Sequence, residues 1–133
     1  MNIGEIIKQP EGRRLELKVQ VPAVSDLAKT IVAFSNDAGG VLYIGVQDEP
    51  REVIGVPEED LIKLEEQLSS LIYDNCYPVI VPEISFLNFE SKYLLKVQSY
   101  RGNNLTYYLK SKGKLKGTYI RVGSKNRLAT PEI

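Results

Sequence analysis

The chain has 133 residues and a mass of 14.9 kDa, which is enough for one domain with a single core. Hydrophobic residues make up 43% of it and charged residues 26%, and these proportions exclude disordered, collagen-like and low-complexity classes. Seventeen Lys and Arg balance seventeen Asp and Glu, so the formal charge is zero and a uniformly basic nucleic-acid binder is excluded.

The residue inventory also excludes several kinds of chemistry. Histidine is absent and Cys76 is the one cysteine, so the chain has no Cys/His zinc site, no imidazole-assisted nucleophile and no internal disulfide. The first twelve residues lack the apolar stretch of a secretory signal, and no apolar run approaches the roughly 20 residues that cross a bilayer. We therefore expect a cytoplasmic protein that does not enter a membrane.

The N-terminal half predicts a helix, a strand and a second helix. Residues 3–8 favour a short helix that ends before Pro10. Residues 13–19 alternate with period two, which predicts a half-buried strand whose polar face carries Arg14, Glu16 and Lys18. Ser25 is a suitable N-cap for a helix with apolar residues at helical spacing, and the residues of 36–40 tolerate a helix end.

The rest of the chain predicts a sheet and one more long helix. The apolar run 41–46 indicates a central strand, and residues 52–55 a short returning strand. A helix opens at residues 57–60 and ends before Pro78. Four further strands are predicted at 83–89, 93–100, 105–110 and 117–123. The predicted fold is α+β, a mixed sheet with two main helices packed on it.

The domain organisation follows from the same elements. Residues 1–133 form one predicted domain. Thr130 and Pro131 have the residue types of a helix N-cap and first helical position. A helix that begins at the last residues predicts that the chain is the N-terminal fragment of a longer protein.

The most distinctive stretch is residues 33–48, AFSNDAGGVLYIGVQD. Gly40 and Gly45 have the spacing of a phosphate-binding P-loop, but Val46 and Gln47 stand where that motif needs Lys and Ser or Thr. We therefore reject a P-loop and interpret the glycines as a helix end followed by a buried strand.

Three acidic residues are candidate metal ligands. Glu11 and Glu16 lie around the first strand, and Asp48 follows the central strand. Three carboxylates that converge can hold Mg²⁺ or Mn²⁺ and activate water for phosphodiester cleavage. The odd separation of Glu11 and Glu16 places them on opposite faces of a regular strand, although Gly12 allows a bend. In the alternative interpretation Glu11 and Asp48 are solvated, and Glu16 pairs with Lys18 or with a base on a neighbouring strand.

The zero net charge hides an uneven distribution. Residues 110–133 hold seven bases against one acid, and residues 1–109 hold ten bases against sixteen acids. The segment 110–117 places four lysines at alternate positions, which predicts a hairpin arm with all four on one side, suited to phosphates. Tyr107, Tyr108 and Tyr119 lie near it and could stack on unpaired bases. The alternative is a solubilising hairpin whose lysines protect an edge strand.

These motifs together resemble the Schlafen-type Alba-like domain. The matching features are Glu16 and Lys18 on the first strand, residues 33–49, Ile54-Gly55-Val56 and residues 119–124, in that order. The resemblance implies an Alba-related sheet covered by helices. It also implies DNA binding, which is the function assigned to this domain in bacterial regulators of transcription. A related vertebrate domain is an endoribonuclease that uses two Glu and one Asp, which match Glu11, Glu16 and Asp48. This chain departs from the vertebrate enzyme in two ways. It has one lobe where that enzyme pairs two, and it has no counterparts for that enzyme's zinc ligands.

Our leading hypothesis is a non-catalytic module of a bacterial transcriptional regulator that binds nucleic acid, DNA in the first instance, and forms a homodimer. It has no cofactor. The alternative is an endoribonuclease acting on structured RNA with Mg²⁺ or Mn²⁺ held by Glu11, Glu16 and Asp48. The residues expected to contact nucleic acid are Arg14, Lys18, Lys110, Lys112, Lys114, Lys116, Arg121, Lys125 and Arg127.

Overall fold

The computed structural model describes residues 2–129. The helices are α1 (Ile3–Ile6), α2 (Val24–Asn36), α3 (Leu61–Asn75) and α4 (Gly113–Gly117), with a 3₁₀ turn at Glu58–Asp60 before α3. The strands are β1 (Leu15–Lys18), β2 (Gly40–Ile44), β3 (Val46–Gln47), β4 (Glu52–Val53), β5 (Cys76–Tyr77), β6 (Glu83–Phe89), β7 (Lys92–Ser99), β8 (Tyr108–Leu109), β9 (Tyr119–Val122) and β10 (Lys125–Leu128).

Four of these strands form the main sheet, in the order β1-β2-β7-β6. β1 and β2 are parallel and pair Glu16 with Leu42, and α2 makes the crossover that parallel neighbours require. The β2–β7 and β7–β6 pairs are antiparallel. β2 is therefore an interior strand, which explains why its run of apolar residues is buried.

Helices cover both faces of this sheet. α2 and α3 pack on one face, where Ile31 and Leu68 join Ile44 and Val97 in the larger apolar cluster. On the opposite face Leu17, Tyr43 and Leu94 form a smaller cluster that α1 covers. The predicted α+β fold, a mixed sheet with two main helices packed on it, is confirmed.

Three two-stranded sheets surround the main one: β3 with β4, β5 with β8, and β9 with β10. The first of them corrects the prediction of one strand over 41–46. The backbone breaks at Gly45, whose φ of 107° is in the region that favours glycine. The Gly45 carbonyl accepts from the N–H groups of Ile54 and Gly55, both at 2.8 Å, and so directs the chain into the β3–β4 hairpin.

The bounds of several elements differ from the predictions, and three of these differences have a visible cause. α2 begins at Val24 and not after Ser25, because Ala23 is extended and its carbonyl accepts the Leu27 N–H at 2.9 Å. The strand predicted over 105–110 shortens to β8, whose pairing partner β5 is only two residues long. The segment 117–123 contains β9, and it turns at Gly123 into β10, a strand that the sequence pattern does not predict.

The prediction that residues 110–117 form a hairpin arm with four lysines on one side is wrong. Residues 113–117 form α4, in which the side chains of Lys114 and Lys116 lie about 160° apart around the helix axis and not on one side. The Thr118 hydroxyl donates to the Lys114 carbonyl at 2.6 Å, and a Cβ on Gly117 would lie 2.8 Å from the Leu109 carbonyl oxygen. This close approach holds the segment as one helical turn against β8.

Two remaining predictions concern the chain ends and membranes. The helix predicted to begin at Thr130 lies outside the described residues. Among the helices of residues 2–129, none combines the length and apolar character that a membrane span needs.

Candidate nucleic-acid interface

Asn36, in the 33–48 stretch, is a structural link between α2 and the C-terminal strands. The Asn36 amide donates to the carbonyls of Tyr107 at 2.8 Å and Tyr119 at 2.9 Å, and its oxygen accepts the Tyr107 N–H at 2.8 Å. One side chain therefore holds the chain before β8 and the start of β9 against the end of α2.

The glycine pair that follows serves close packing. Gly39 has a φ of 85°, and a Cβ there would lie 2.8 Å from the Ser99 carbonyl oxygen. A Cβ on Gly40 would lie 2.5 Å from the Phe34 ring. The two glycines let β2 start directly beneath the end of α2, and this supports the interpretation as a helix end before a buried strand.

Arg121 lies inside the fold and not on the basic surface where we predicted it. Its side chain is fully buried and stacks over the Phe34 ring, with the guanidinium carbon 5.0 Å from the ring centroid. The guanidinium donates to the Gly12 and Leu15 carbonyls, to Glu16 Oε1 at 2.8 Å and to Asn126 Oδ1 at 2.8 Å. Because its donors are engaged within the protein, Arg121 is excluded from the interface that we propose.

Glu16 is the buried partner of this arginine. The alternation of β1 predicted that Glu16 would be on a polar face, but the residue is only 6% exposed because the β9–β10 hairpin covers that face. Its second oxygen lies 3.2 Å from the Lys18 ammonium, which is itself half-exposed. Glu16 therefore pairs both with Lys18 and with a base on another strand, as the alternative interpretation proposed.

Glu11 converges on Glu16 through the bend at Gly12. Its Oε2 accepts the Leu17 N–H at 2.7 Å. Burial raises the pKa of Glu11, and the negative charges of Glu16 and Asp48 raise it further, while the bond from Leu17 lowers it. The charges of Glu16 and Asp48 thus reach Glu11 and disfavour its ionised form.

The third carboxylate does not complete a metal site. Asp48 is exposed and accepts from Arg51 at 2.8 Å, and Arg51 also donates to the carbonyls of Ile7 and Gln9. Within residues 2–129 no three carboxylate, cysteine or histidine side chains are placed to hold one metal ion. Since Glu16 and Asp48 are each occupied by a cation of the protein, the donor set does not fit Mg²⁺ or Mn²⁺.

The remaining basic residues of the C-terminal segment form an exposed surface, which we call the basic surface. None of its members takes part in an ion pair within the described part of the chain. On the β9–β10 hairpin the inner face carries Arg121 and Asn126, so the alternation directs Lys125 and Arg127 outwards. The basic surface consists of Lys110, Lys112, Lys114, Lys116, Lys125 and Arg127, all exposed.

Arg14 is on the surface, whereas two of the three tyrosines predicted to stack on bases are packed into the protein. Arg14 is exposed and lies near Asp37, whose pKa is lowered mainly by its hydrogen bond from Arg13. Tyr107 is buried, and Tyr119 packs on the core beneath the Lys29 ammonium, 5.2 Å from the ring centroid. Neither ring is free to stack on a base.

Tyr108 is different, because it pairs with a tyrosine that the sequence did not single out. β5 and β8 place Tyr77 directly opposite Tyr108, and the ring centroids are 5.5 Å apart. Tyr77 is 51% exposed. No local signal could have found this pair, because Tyr77 lies in a different predicted segment and the two-residue strand that positions it has no periodicity to detect.

The chain resembles several known proteins. It is 38% identical to an uncharacterized ATP-binding protein of Ureaplasma parvum over 40 residues, which are 30% of this chain and 11% of that protein. The N-terminal domain of a RecG-related protein of Nitrosomonas europaea, described as related to an ATP-dependent DNA helicase, has a TM-score of 0.64 at 26% identity, over 96% of this chain and 90% of that domain. The DIP2311 protein of Corynebacterium diphtheriae also has a TM-score of 0.64, at 16% identity, over 88% of this chain and 22% of that one.

The chain thus spans about a tenth of the Ureaplasma relative and about a fifth of the Corynebacterium protein. The likeness to the latter shows a common fold. The family model for Schlafen, AlbA_2 matches residues 11–130, which is most of the sequence. The chain therefore belongs to the Schlafen AlbA_2 family.

Proposed function

We propose that this chain is a DNA-binding module of a bacterial transcriptional regulator and that it has no catalytic activity of its own. The observation that carries the proposal is the basic surface. Its six cations are exposed and have no ion-pair partner within residues 2–129, so their charge is available to an anionic ligand. Residues 110–129 contain no acid, so no carboxylate of this segment opposes a phosphate backbone.

The shape of the basic surface suits phosphates better than base edges. Five of its six members are lysines, which act as point charges and do not form the bidentate contacts by which arginine reads guanine. Lysine contacts position a protein on nucleic acid without specifying sequence. We therefore propose that this module supplies affinity and that the DNA sequence is selected elsewhere in the regulator.

The comparisons support a nucleic-acid-related role. The family is named for Schlafen and AlbA domains, and one structural relative comes from a protein described as related to a DNA helicase. The chain spans only a small part of two relatives. We therefore propose, as part of the same function, that it belongs to a transcriptional regulator, that it is cytoplasmic and that it forms a homodimer.

The nuclease alternative has weaker support. Glu11 and Glu16 do meet, but Glu16 is neutralised by Arg121 and Lys18, and Asp48 by Arg51. A hydrolytic site needs a carboxylate that is free to bind a metal or activate water. We therefore assign Glu16 and Asp48 to ion pairs within the fold.

The test is a fluorescence-anisotropy titration of labelled duplex DNA at several salt concentrations. Six phosphate contacts give a log–log slope of roughly 5, since each contact on duplex DNA contributes about 0.9. The double variant Lys112→Gln with Lys116→Gln should lower both the affinity and the slope. Lys63→Gln, which removes an exposed lysine from α3, is the matched control and should change neither.

Two results would overturn the proposal. One is the absence of binding at low salt, and the other is binding that does not depend on salt. Sedimentation equilibrium of the same protein tests the homodimer, which predicts twice the mass of the chain.

A further inference from the structure

The pair of tyrosines beside the basic surface is placed to receive unpaired bases. Tyr77 and Tyr108 face each other across β5 and β8, with ring planes inclined by 40° and centroids 5.5 Å apart. Tyr77 is 51% exposed. An aromatic ring in this position has a free face, and aromatic faces stack on nucleic-acid bases of any sequence.

The strand pairing also brings a cation to this pair. The ladder continues one step beyond β8, because the Lys110 N–H donates to the Asn75 carbonyl at 2.9 Å. Side chains alternate along a strand, so Lys110 projects to the same side as Tyr108 while Leu109 turns into the core. Residues two apart on a strand are about 7 Å apart, close to the spacing between consecutive phosphates of an extended single strand.

The lysines that follow extend this cationic track. Lys112 and Lys114 come directly after Lys110, in the turn and in α4, and both are exposed. Among the described residues none of the three has an ion-pair partner. An aromatic platform with free cations on one side is the arrangement by which proteins bind single strands without reading their sequence.

We propose that Tyr77 and Tyr108 form a base-stacking platform and that single-stranded nucleic acid is the preferred ligand of this domain. The inference rests on the proposed nucleic-acid binding and adds the strandedness of the ligand. In a duplex the bases are already stacked on one another and their faces are inaccessible, so a duplex contacts the lysines and not the tyrosines. A single strand contacts both.

The experiment compares four probes: a 15-nucleotide dT strand, the same length of rU, a duplex of that length, and a strand in which every sugar lacks its base. We expect the dT or the rU strand to bind about ten-fold more tightly than the abasic strand, because only the former can stack. Which of the two binds more tightly shows whether the source of the bases is DNA or RNA.

The variants are Tyr77→Leu and Tyr108→Leu, which keep apolar volume but remove the aromatic face. Each should weaken binding of the dT strand by about ten-fold or more and leave duplex and abasic binding unchanged. Tyr100→Leu is the control. Tyr100 is 57% exposed, similar to Tyr77, but it lies beside a carboxylate, because its hydroxyl donates to Glu83 at 3.0 Å. Circular dichroism of each variant verifies the fold.

A second readout does not depend on affinity. A 2-aminopurine base in the strand loses fluorescence when it stacks, so it should be quenched by the wild-type protein and less by Tyr77→Leu. Equal affinity of the wild-type protein and both tyrosine variants for dT would overturn the inference, and so would tighter binding of duplex than of single strand. In both cases salt-dependent duplex binding would remain, and the proposed function would stand. Binding of none of the four probes would overturn both.

Discussion

Glu16 and Arg121 are separated by 105 positions in the sequence, yet Glu16 Oε1 and Arg121 Nη2 lie 2.8 Å apart in the interior of the domain. The pair joins β1 to β9. Asn126 extends it, since its amide accepts from Arg121 and donates to the Thr30 hydroxyl of α2 at 2.9 Å. The hairpin that carries Lys125 and Arg127 is thus held on the fold by polar contacts.

Removing Arg121 should destabilise the domain strongly. In Arg121→Met the Glu16 carboxylate stays buried with only Lys18 beside it, and the carbonyls of Gly12 and Leu15 lose a donor. Breaking a buried ion pair on one side costs about 3–5 kcal/mol, and we expect a loss of that size in urea denaturation. The exposed Arg127→Met on the same hairpin is the control, with an expected change within about 0.5 kcal/mol.

The double variant Glu16→Leu with Arg121→Met should recover part of this loss, because it leaves no unpaired charge in the interior. A single Arg121→Met variant as stable as the wild-type protein would contradict the structural role of the pair.

Asn36→Ala should loosen the C-terminal strands. The substitution removes three hydrogen bonds between α2 and the backbone of Tyr107 and Tyr119, each worth about 1 kcal/mol. We expect a loss of about 2–3 kcal/mol and faster amide exchange in β8 and β9. Asn103→Ala in the exposed loop before them should have little effect. Uniform acceleration of exchange over the whole sheet would argue against a local link.

Glu11→Gln should stabilise the protein at neutral pH. Because burial and two neighbouring carboxylates raise the pKa of Glu11 in the folded state, its charged form opposes folding at pH 7, and this cost is relieved as the pH falls through the raised pKa. Glutamine keeps an acceptor for the Leu17 N–H without the charge. The gain in the free energy of unfolding should be present at pH 7 and should shrink at pH 4. A variant that is less stable at both pH values would contradict this explanation.

Cys76 should be inert in the native protein. The residue is 1% exposed, and burial raises the pKa of its thiol to about 12, so at pH 8 the reactive thiolate is a very small fraction. A thiol reagent such as DTNB should give no signal within minutes and one equivalent after addition of guanidinium chloride. Rapid labelling of the folded protein would show that β5 opens readily.

Divalent metal should have no effect on this domain. Millimolar Mg²⁺ or Mn²⁺ should not raise the melting temperature, because a ligand stabilises a protein only if it binds the folded state and the donor set at Glu11 and Glu16 does not fit. Structured RNA incubated with either metal should stay intact. Cleavage that is lost in Glu16→Gln would establish the nuclease alternative instead.

The strands and helices with clear periodicity could be predicted from the sequence. The strand predicted over 83–89 coincides with β6, and the apolar run after the glycine pair is the interior strand β2. Predictions based on shorter patterns were less accurate, as where an alternating lysine segment became α4. There the positive φ of Gly113 and the close approach of Gly117 to Leu109 outweigh the alternation.

In the candidate site, too, some features could be predicted from the sequence and others could not. The sequence identifies the cluster of bases in residues 110–127 and the absence of acids among them, because these are matters of composition. It does not tell which of the bases face solvent. Arg121 and Arg127 are both arginines on one hairpin, but one is fully buried against Glu16 and the other is exposed.

The sequence by itself determined the fold class and the order of the main elements. It also determined which kinds of chemistry are excluded for want of His and Cys, and that the excess of bases lies at the C-terminal end. Each of these depends on residue type or on neighbours within one element. Only the tertiary structure decided that Glu16 and Arg121 are buried together, that Asp48 is held by Arg51, and that Tyr77 meets Tyr108. The physical reason is that burial and pairing depend on surfaces brought together from distant parts of the chain, and no local pattern records which surfaces those are.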